Sequence, residues 1–464
     1  MGCEIEMKFA DLVLAKVLIV GGGVTGTSVA DVLERHGSEI SIFDENSSLF
    51  ADARFISAEQ VQSEDWRIAI VSPGWRPSHP VLEGLRERGI RLLSEVDLAW
   101  LLKKELHPAQ EWLAITGTNG KTTTVEMTSA MLRAGGRTAA ACGNVGDTVI
   151  GAVVGDVEYD YLVLELSSFQ LHWSDQPEFS AAAILNIADD HTDWHRGFQN
   201  YALSKLRILD RAQIAILNSE DSAVVEITSS WEGKKVFYSL GSPRPGELGV
   251  VEDLLVDRAF VPDLDEAEVI AELTEVIPTS PHNVSNALAA AGLARSVGVS
   301  HSAIRKAIQD FRPGRHRIEL VAEKNGVRWV NDSKATNPHA AAASLNSAHS
   351  VVWIAGGLAK GASMHELVAK MGEHIKAALL IGKDRELIAQ ELEEHASHVK
   401  IIRIDASERD EISLMEKVVS TAIGLVQSGD TVLMAPACAS MDQFISYADR
   451  GDQFVAAVQK IVMS

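Results

Sequence analysis

Short apolar runs, each followed by a polar turn and then a helical period, recur along the chain. Lys16-Val17-Leu18-Ile19-Val20 reads as a buried strand, residues 21–26 as a glycine turn, and the following period as a helix to about Arg35. The next strand, Ser41-Ile42-Phe43, ends at Asp44, and another, 68–71, ends in Ser72-Pro73-Gly74. An amphipathic stretch over 96–102 stops at Lys103-Lys104, and Pro108 marks a boundary. The alternation then restarts with Trp112-Leu113-Ala114-Ile115, a second glycine turn over 116–121, and strands at 161–165 and 183–186. Residues 220–277 are shorter in period and rich in turn formers, which predicts hairpins and loops. Pro281 opens an Ala-rich helix that ends near Gly298, and the run Phe311-Arg312-Pro313-Gly314-Arg315 is a second boundary. Five more strands follow, at 327–330, 351–355, 378–381, 400–404 and 431–435, with helical patterns between them. Strands alternating with helices imply parallel sheets. The chain is therefore expected to be an α/β protein of three domains, 1–107, 108–311 and 312–464. The outer two read as Rossmann-like and the middle one as a P-loop ATPase-type parallel sheet.

The length of 464 residues agrees with several domains, and 46% apolar residues suffice for several cores. Charge changes the picture more. A formal charge of −22, with no concentrated Lys/Arg run, argues against nucleic acid or an anionic membrane as partner. Any anionic ligand must be met by a few locally placed cations. Cys3, Cys142 and Cys438 are far apart with no metal-ligand spacing, which suits buried thiols in a reducing compartment. Glu4, Glu6, Lys8 and Asp11 precede the first apolar run, unlike a signal peptide, and no apolar stretch reaches membrane-spanning length. A cytoplasmic, monomeric protein without membrane insertion is expected.

The strongest chemical signal is Gly117-Thr118-Asn119-Gly120-Lys121-Thr122-Thr123. A glycine turn between strand and helix presents backbone N–H groups where the helix dipole is positive. Lys121 adds a full charge for the outer phosphates and Thr122 a hydroxyl for Mg²⁺. Ile115 stands where the strict motif wants its first Gly, and Gly117 is closer in. The N-terminal turn has GxGxxG spacing with Asp44 18 residues after Gly26. It suits a nicotinamide dinucleotide, another nucleotide diphosphate, or plain tight packing.

Glu165 ends a buried strand, where acids are rare unless paired or metal-bound. Asp189-Asp190-His191 follows another strand end, and His191 taken alone reads as a capping or surface residue. Asn283 and Asn286 lie three apart at a helix start, suited either to an adenine edge or to capping. Three loops follow strand ends in the last segment: 331–337, 356–361 and 436–444. Together they suggest a lined crevice.

In order, GTNGKTT, LELSSFQL, the DDH run, HNVSNALAA, NDSKATNP and ACASMDQF resemble the Mur ligases of peptidoglycan synthesis over roughly residues 15–460. The 331–337 loop points within that family to the branch that adds D-glutamate to UDP-N-acetylmuramoyl-L-alanine. The resemblance implies ATP-dependent amide formation through an acyl phosphate, with two Mg²⁺ ions, in cell-wall precursor synthesis. It places Gly117, Thr118, Asn119, Gly120, Lys121, Thr122 and Thr123 on the ATP phosphates. It puts Asn283 and Asn286 on adenine, and Arg317, Asp332 and Lys334 toward ribose and phosphates. Glu165 and His191, with Thr122, would hold the metal ions. Asn144, Ser167 and Gln170 would touch the muramoyl-alanine part, and Asp190, Thr336, Lys360, Ser440 and Tyr447 would form the glutamate pocket. Val24, Thr25, Asp44, Ser72, Pro73 and Gly74 would hold the UDP end, although Asn46 stands where some relatives are basic. Lys205 matches a carbamylated lysine that helps order the metal site; read from its surroundings in sequence alone, it is a surface lysine. A folylpolyglutamate synthase, a nicotinamide oxidoreductase and a catalytically dead nucleotide-binding regulator are the competing readings.

Overall fold

The computed structural model describes residues 8–12, 15–46, 52, 54–263, 265–405 and 412–463. Cys3, Glu4 and Glu6, which entered the reading of the N-terminus, lie outside the described residues. The strands form three sheets. The N-terminal sheet is fully parallel, in the order Glu39–Phe43, Lys16–Val20, Ile68–Val71, Arg91–Leu93.

The nine-stranded middle sheet runs Glu268–Glu272, Leu254–Asp257, Leu248–Val251, Lys234–Tyr238, Ile214–Asn218, Ala181–Ile184, Glu111–Thr116, Tyr161–Glu165, Ala139–Gly143. It is parallel except at one edge, where the last three strands in sequence pair antiparallel. The stretch 220–277 is thus only partly hairpin. It begins with the helix Ser222–Thr228, capped by the Asp221 carboxylate, before the strands start. The C-terminal sheet has six strands, in the order Glu319–Lys324, Val327–Asn331, Thr431–Met434, Val351–Gly356, Ile375–Ile381, Lys400–Arg403, and only its first pair is antiparallel.

Period-two alternation explains how each sheet is covered on both faces. In the C-terminal sheet Trp353, Ala355, Leu380 and Leu433 enter one core, while Val352, Ile354, Leu379 and Val432 enter the other. The middle sheet divides likewise, with Leu113, Ile115 and Val163 on one side and Trp112, Ala114 and Leu164 on the other. Its strand Ala181–Ile184 is nearly all alanine, a poor strand former, yet it is buried between two neighbours. Small side chains there suit the Ala-rich helix Pro281–Ser296, which packs on it. At Gly292 of that helix, a Cβ would sit 3.0 Å from Ile216.

Two compact units result: 1–187 with 199–311, and 188–198 with 312–464. The N-terminal and middle sheets share a unit because a continuous apolar cluster crosses Pro108, with Trp100 and Trp112 edge to face at 5.0 Å. The helix Glu95–Leu106 runs past the predicted stop at Lys103-Lys104 and is locked at its start by a Ser94–Asp97 capping box. The buried Asp97 also accepts hydrogen bonds from the Asp175 and Gln176 amides, and the buried Glu95 accepts one from Ile150. Burial pushes the Glu95 carboxyl up to about 7. Among the described residues no helix is long and apolar enough to cross a membrane, and Cys142 and Cys438 are buried free thiols.

Candidate active site

In the first unit, the strand Glu111–Thr116 delivers the glycine turn, and Gly120 takes a left-handed conformation (φ 82°) from which the helix Lys121–Ala134 starts. A side chain at Gly120 would collide with the Asn286 amide, so Asn286 lies against this turn. Asn283 instead donates to the Pro278 carbonyl at 3.0 Å. Lys121 folds back to donate to the carbonyls of Gly117 (2.9 Å) and Thr118 (3.0 Å).

Lys205 corrects the surface-lysine reading. It is 2% exposed, lies over the Tyr201 ring, and donates to the same Gly117 carbonyl at 2.8 Å. Two ammonium groups on one oxygen are at most about 6 Å apart, a repulsion of about 3 kcal/mol at an effective dielectric of 20. A phosphate oxygen between them, or conversion of one amine to an anion, removes that repulsion.

The neighbouring strand Tyr161–Glu165 pairs Glu165 with Ile115, which sets this carboxylate beside the turn. Glu165 is 2% exposed. Its Oε1 accepts from the Asn144 amide at 3.0 Å, while its buried Oε2 has no partner among the described residues. An unpartnered, buried carboxylate oxygen is costly unless a cation meets it. The donor set of this acid and the Thr122 hydroxyl is one of hard oxygens, as Mg²⁺ requires.

Ser167 and Gln170 bond one another in the capping box of the short helix Ser168–Trp173, so their first role is local. Asn186, just past the end of the strand Ala181–Ile184, has no pattern that marks it beforehand. Its amide oxygen accepts from the Asn119 N–H (2.8 Å) and its amide nitrogen donates to the Asn119 carbonyl (3.1 Å), pinning the turn from 67 residues away.

The N-terminal sheet carries an open cleft of about 740 Å³. Its lining includes Val24, Thr25, Asp44, Ser72, Pro73 and Gly74, together with Asn46, Trp75 and His79. Asp44 accepts from the Gly22 and Asn46 amides, closing the glycine turn on the strand end. Gly21 (φ 109°) and Gly26 are required sterically. A Cβ at the first would meet Ser72 and Trp75, and at the second the Gly21 carbonyl. Trp75 and His79, 4.7 Å apart edge to face, form an aromatic wall. Isolated aromatics after a Pro-Gly turn carry no pattern that marks them beforehand.

The second unit holds Asp190 and His191, with Asp190 Oδ1 3.7 Å from both Lys360 Nζ and His191 Nε2. His191 (φ 53°), Lys360 (φ 51°) and Ala437 (φ 60°) are left-handed without being glycine, a strain of about 1 kcal/mol or more each that surrounding contacts must hold. In the 331–337 loop Asp332 is buried, accepts from Ser344 and the Ile318 amide, and is pushed up to about 6 by burial. Lys334 Nζ sits 3.9 Å over the Tyr447 ring. Thr336 bonds its amide to the Lys334 carbonyl, Arg317 is half-buried, and Ser440 is buried.

Arg450 holds these loops together and was missed from sequence. Its side chain is fully buried and burial pushes it down to about 10. It donates to the Ser333 hydroxyl and carbonyl (both 3.0 Å), to the Cys438 carbonyl twice (3.2 Å each), and more weakly to the Gly356 carbonyl (3.5 Å). One guanidinium thereby ties all three strand-end loops. His316, buried against Gly451, the residue after Arg450, accepts from Asn331 at 2.9 Å.

The Mur ligase middle domain model matches residues 115–294, and the Mur ligase, glutamate ligase domain model matches 316–438. The UDP-N-acetylmuramoylalanine–D-glutamate ligase of Thermobifida fusca is 46% identical, over 96% of this chain and 98% of its own. This chain belongs to the Mur ligase family. The ligase of the same name from Streptomyces coelicolor is 43% identical over the same shares. The MurF ligase of Thermotoga maritima, solved in complex with ADP, has the same fold (TM-score 0.58, 16% identity, 98% of this chain and 97% of that one). A pyridine nucleotide-disulphide oxidoreductase model matches only residues 16–70. In a Mur ligase this stretch is the Rossmann-type opening, and the oxidoreductase reading ends there.

Proposed function

We propose that this Mur ligase joins D-glutamate to UDP-N-acetylmuramoyl-L-alanine at the expense of ATP. The observation that supports the chemistry is the Gly117 turn, with Lys121 and Lys205 on one carbonyl and the half-partnered Glu165 beside it. The substrates are those in the names of relatives at 43–46% identity over nearly the whole chain. The alanyl carboxylate oxygen attacks the γ-phosphorus and ADP leaves. The glutamate nitrogen then attacks the acyl carbon, loses a proton, and inorganic phosphate departs as the amide forms. A carboxylate is a poor electrophile until its oxygen becomes a leaving group, so the protein's work is positioning and charge neutralisation.

Backbone N–H groups within 117–123, apart from those of Thr118 and Asn119 that donate to Asn186, bind the phosphates together with Lys121. Asn286, with Asn283, takes adenine; Arg317, Asp332 and Lys334 take ribose and phosphate. The cleft with Val24, Thr25, Asp44 and Ser72–Gly74 takes UDP, with Asn144, Ser167 and Gln170 toward the muramoyl-alanine. Asp190, Thr336, Lys360, Ser440 and Tyr447 receive glutamate. Thr122, Glu165, His191 and Lys205 as its carbamate would hold Mg²⁺, which supplies electrostatic stabilisation of the transferring phosphoryl group. The unpartnered Glu165 oxygen supports a cation there, and the Lys205 amine would join it only once carbamylated. The working divisions are 1–107, 108–311 and 312–464, in a monomeric, cytoplasmic enzyme.

Phosphate release from ATP, measured with UDP-N-acetylmuramoyl-L-alanine and D-glutamate, L-glutamate or neither, tests this reading. Release that requires D-glutamate is expected; release indifferent to either enantiomer overturns it.

A further inference from the structure

Away from these loops, on the helical layer of the C-terminal unit, three metal-ligating side chains from two helices converge. His365 opens the helix His365–Met371, and Glu391 and His395 stand one turn apart on Arg385–His395. His365 Nδ1 lies 3.1 Å and His395 Nε2 3.5 Å from the same oxygen, Glu391 Oε2, and the two imidazoles meet edge to face at 4.6 Å. One donor atom from each of the three residues lies within 4.8 Å of the other two.

We propose that His365, Glu391 and His395 form a binding site for a borderline transition-metal cation of the Zn²⁺ type. A tetrahedral zinc ion with bonds of about 2.0–2.1 Å sets neighbouring ligand atoms about 3.3 Å apart, and the observed 3.1 and 3.5 Å bracket that value. The i,i+4 placement of Glu391 and His395 puts two donors on one helical face, the spacing by which helical residues chelate zinc. An ion pair needs a single imidazole; here two, from separate helices, point at one carboxylate oxygen. Two nitrogen donors disfavour Mg²⁺ and Ca²⁺, which prefer oxygen, so the site discriminates against the cation that phosphoryl transfer uses. The side chains of Glu391 and His395 are 26% and 29% exposed, leaving an entry path and room for water or for Glu394, whose Oε1 is 3.7 Å from His395 Nε2. The bound ion would fasten the start of one helix to the end of the other, five residues after Lys360 in the chain.

The test uses the full chain, stripped with chelator and held in excess Mg²⁺. It is titrated with Zn²⁺ by calorimetry and with Co²⁺ by visible absorption. Wild type is expected to take up one Zn²⁺ and to give the visible bands of a low-coordinate Co²⁺ site. The double substitution His365→Ala/His395→Ala is expected to weaken Zn²⁺ binding by about a hundredfold or more, and Glu391→Gln by about tenfold, with Mg²⁺-dependent ligase turnover unchanged. His365→Gln, at an exposed helix start, serves if the double variant melts early, and must also lose the Co²⁺ bands. Equal Zn²⁺ affinity in wild type and these variants, or no binding by wild type, overturns the proposal.

Discussion

The glycine turn of the middle sheet and the three loops of the C-terminal sheet are both sites built at strand ends, yet they are assembled differently. The turn is made largely by contiguous residues. Gly120 supplies the bend, the helix Lys121–Ala134 the dipole, and Lys121 bonds carbonyls three and four residues behind it. The C-terminal loops lie on different strands, and their common tie is Arg450, bonded across 117, 94 and 12 residues of chain. The bend of the turn is written in one stretch, with Asn186, Glu165 and Lys205 each added from a distance, whereas the C-terminal loops share a single buried cation and depend on that residue throughout.

The first way to break this comparison is to remove charge at the turn. Glu165→Ala or Lys205→Ala is expected to lower turnover by about a thousandfold or more while leaving the melting temperature nearly unchanged. Short-chain carboxylates should restore part of the Lys205→Ala activity. Full turnover in the unrescued variant defeats the carbamate role.

Arg450→Met is expected to combine loss of structure with loss of function, because it leaves carbonyls of three loops without their donor. A cost of about 3–4 kcal/mol in stability is expected, together with a KM for glutamate raised well beyond that for the UDP substrate. Arg450→Lys, which keeps the charge but not the fork, should recover stability more than glutamate affinity. Equal rises in both KM values mean that Arg450 supports the fold without specially positioning the glutamate loops.

The smallest effect is a pH dependence. Burial raises the Asp332 carboxyl to about 6 from an ordinary value near 3.8, so the folded protein holds that proton more tightly than the unfolded chain. The resulting stability is present at low pH and is lost as pH rises to about 6, up to about 3 kcal/mol in all. Asp332→Asn should therefore be more stable than wild type at pH 8 and show a flatter profile between pH 4 and 7, by thermal melts at matched ionic strength. An unchanged profile places the titration elsewhere.

The same contrast explains what was legible beforehand. The phosphate turn and Glu165 are marked by local patterns, a glycine turn before a helix and an acid ending an apolar strand. So were most of the buried parallel strands, which leave continuous apolar runs, whereas Arg91–Leu93, Ala139–Gly143, Ile214–Asn218 and Glu319–Lys324 were not predicted. The helix Ser222–Thr228 was hidden in a turn-rich stretch, its Asp221 cap indistinguishable from a loop acid. Lys205 is marked as more than a surface residue only by family resemblance, since its burial depends on the Gly117 carbonyl 88 residues away. Asn186 and Arg450 act through bonds to distant backbone, and backbone carbonyls leave no trace in side-chain identity.

The segment 188–198 has one further consequence. It lies within the middle of the sequence but packs with the C-terminal unit, bringing Asp190 to 3.7 Å from Lys360. The C-terminal sheet is therefore not a portable cassette. A chimera that exchanges everything after residue 311 with a relative would pair a foreign Lys360 loop with the native 188–198 strip, and a fragment beginning at 312 would lack that strip entirely. Recombination between family members would have to move both pieces together, so drift in one constrains the other even though 113 residues of chain, 199–311, separate them.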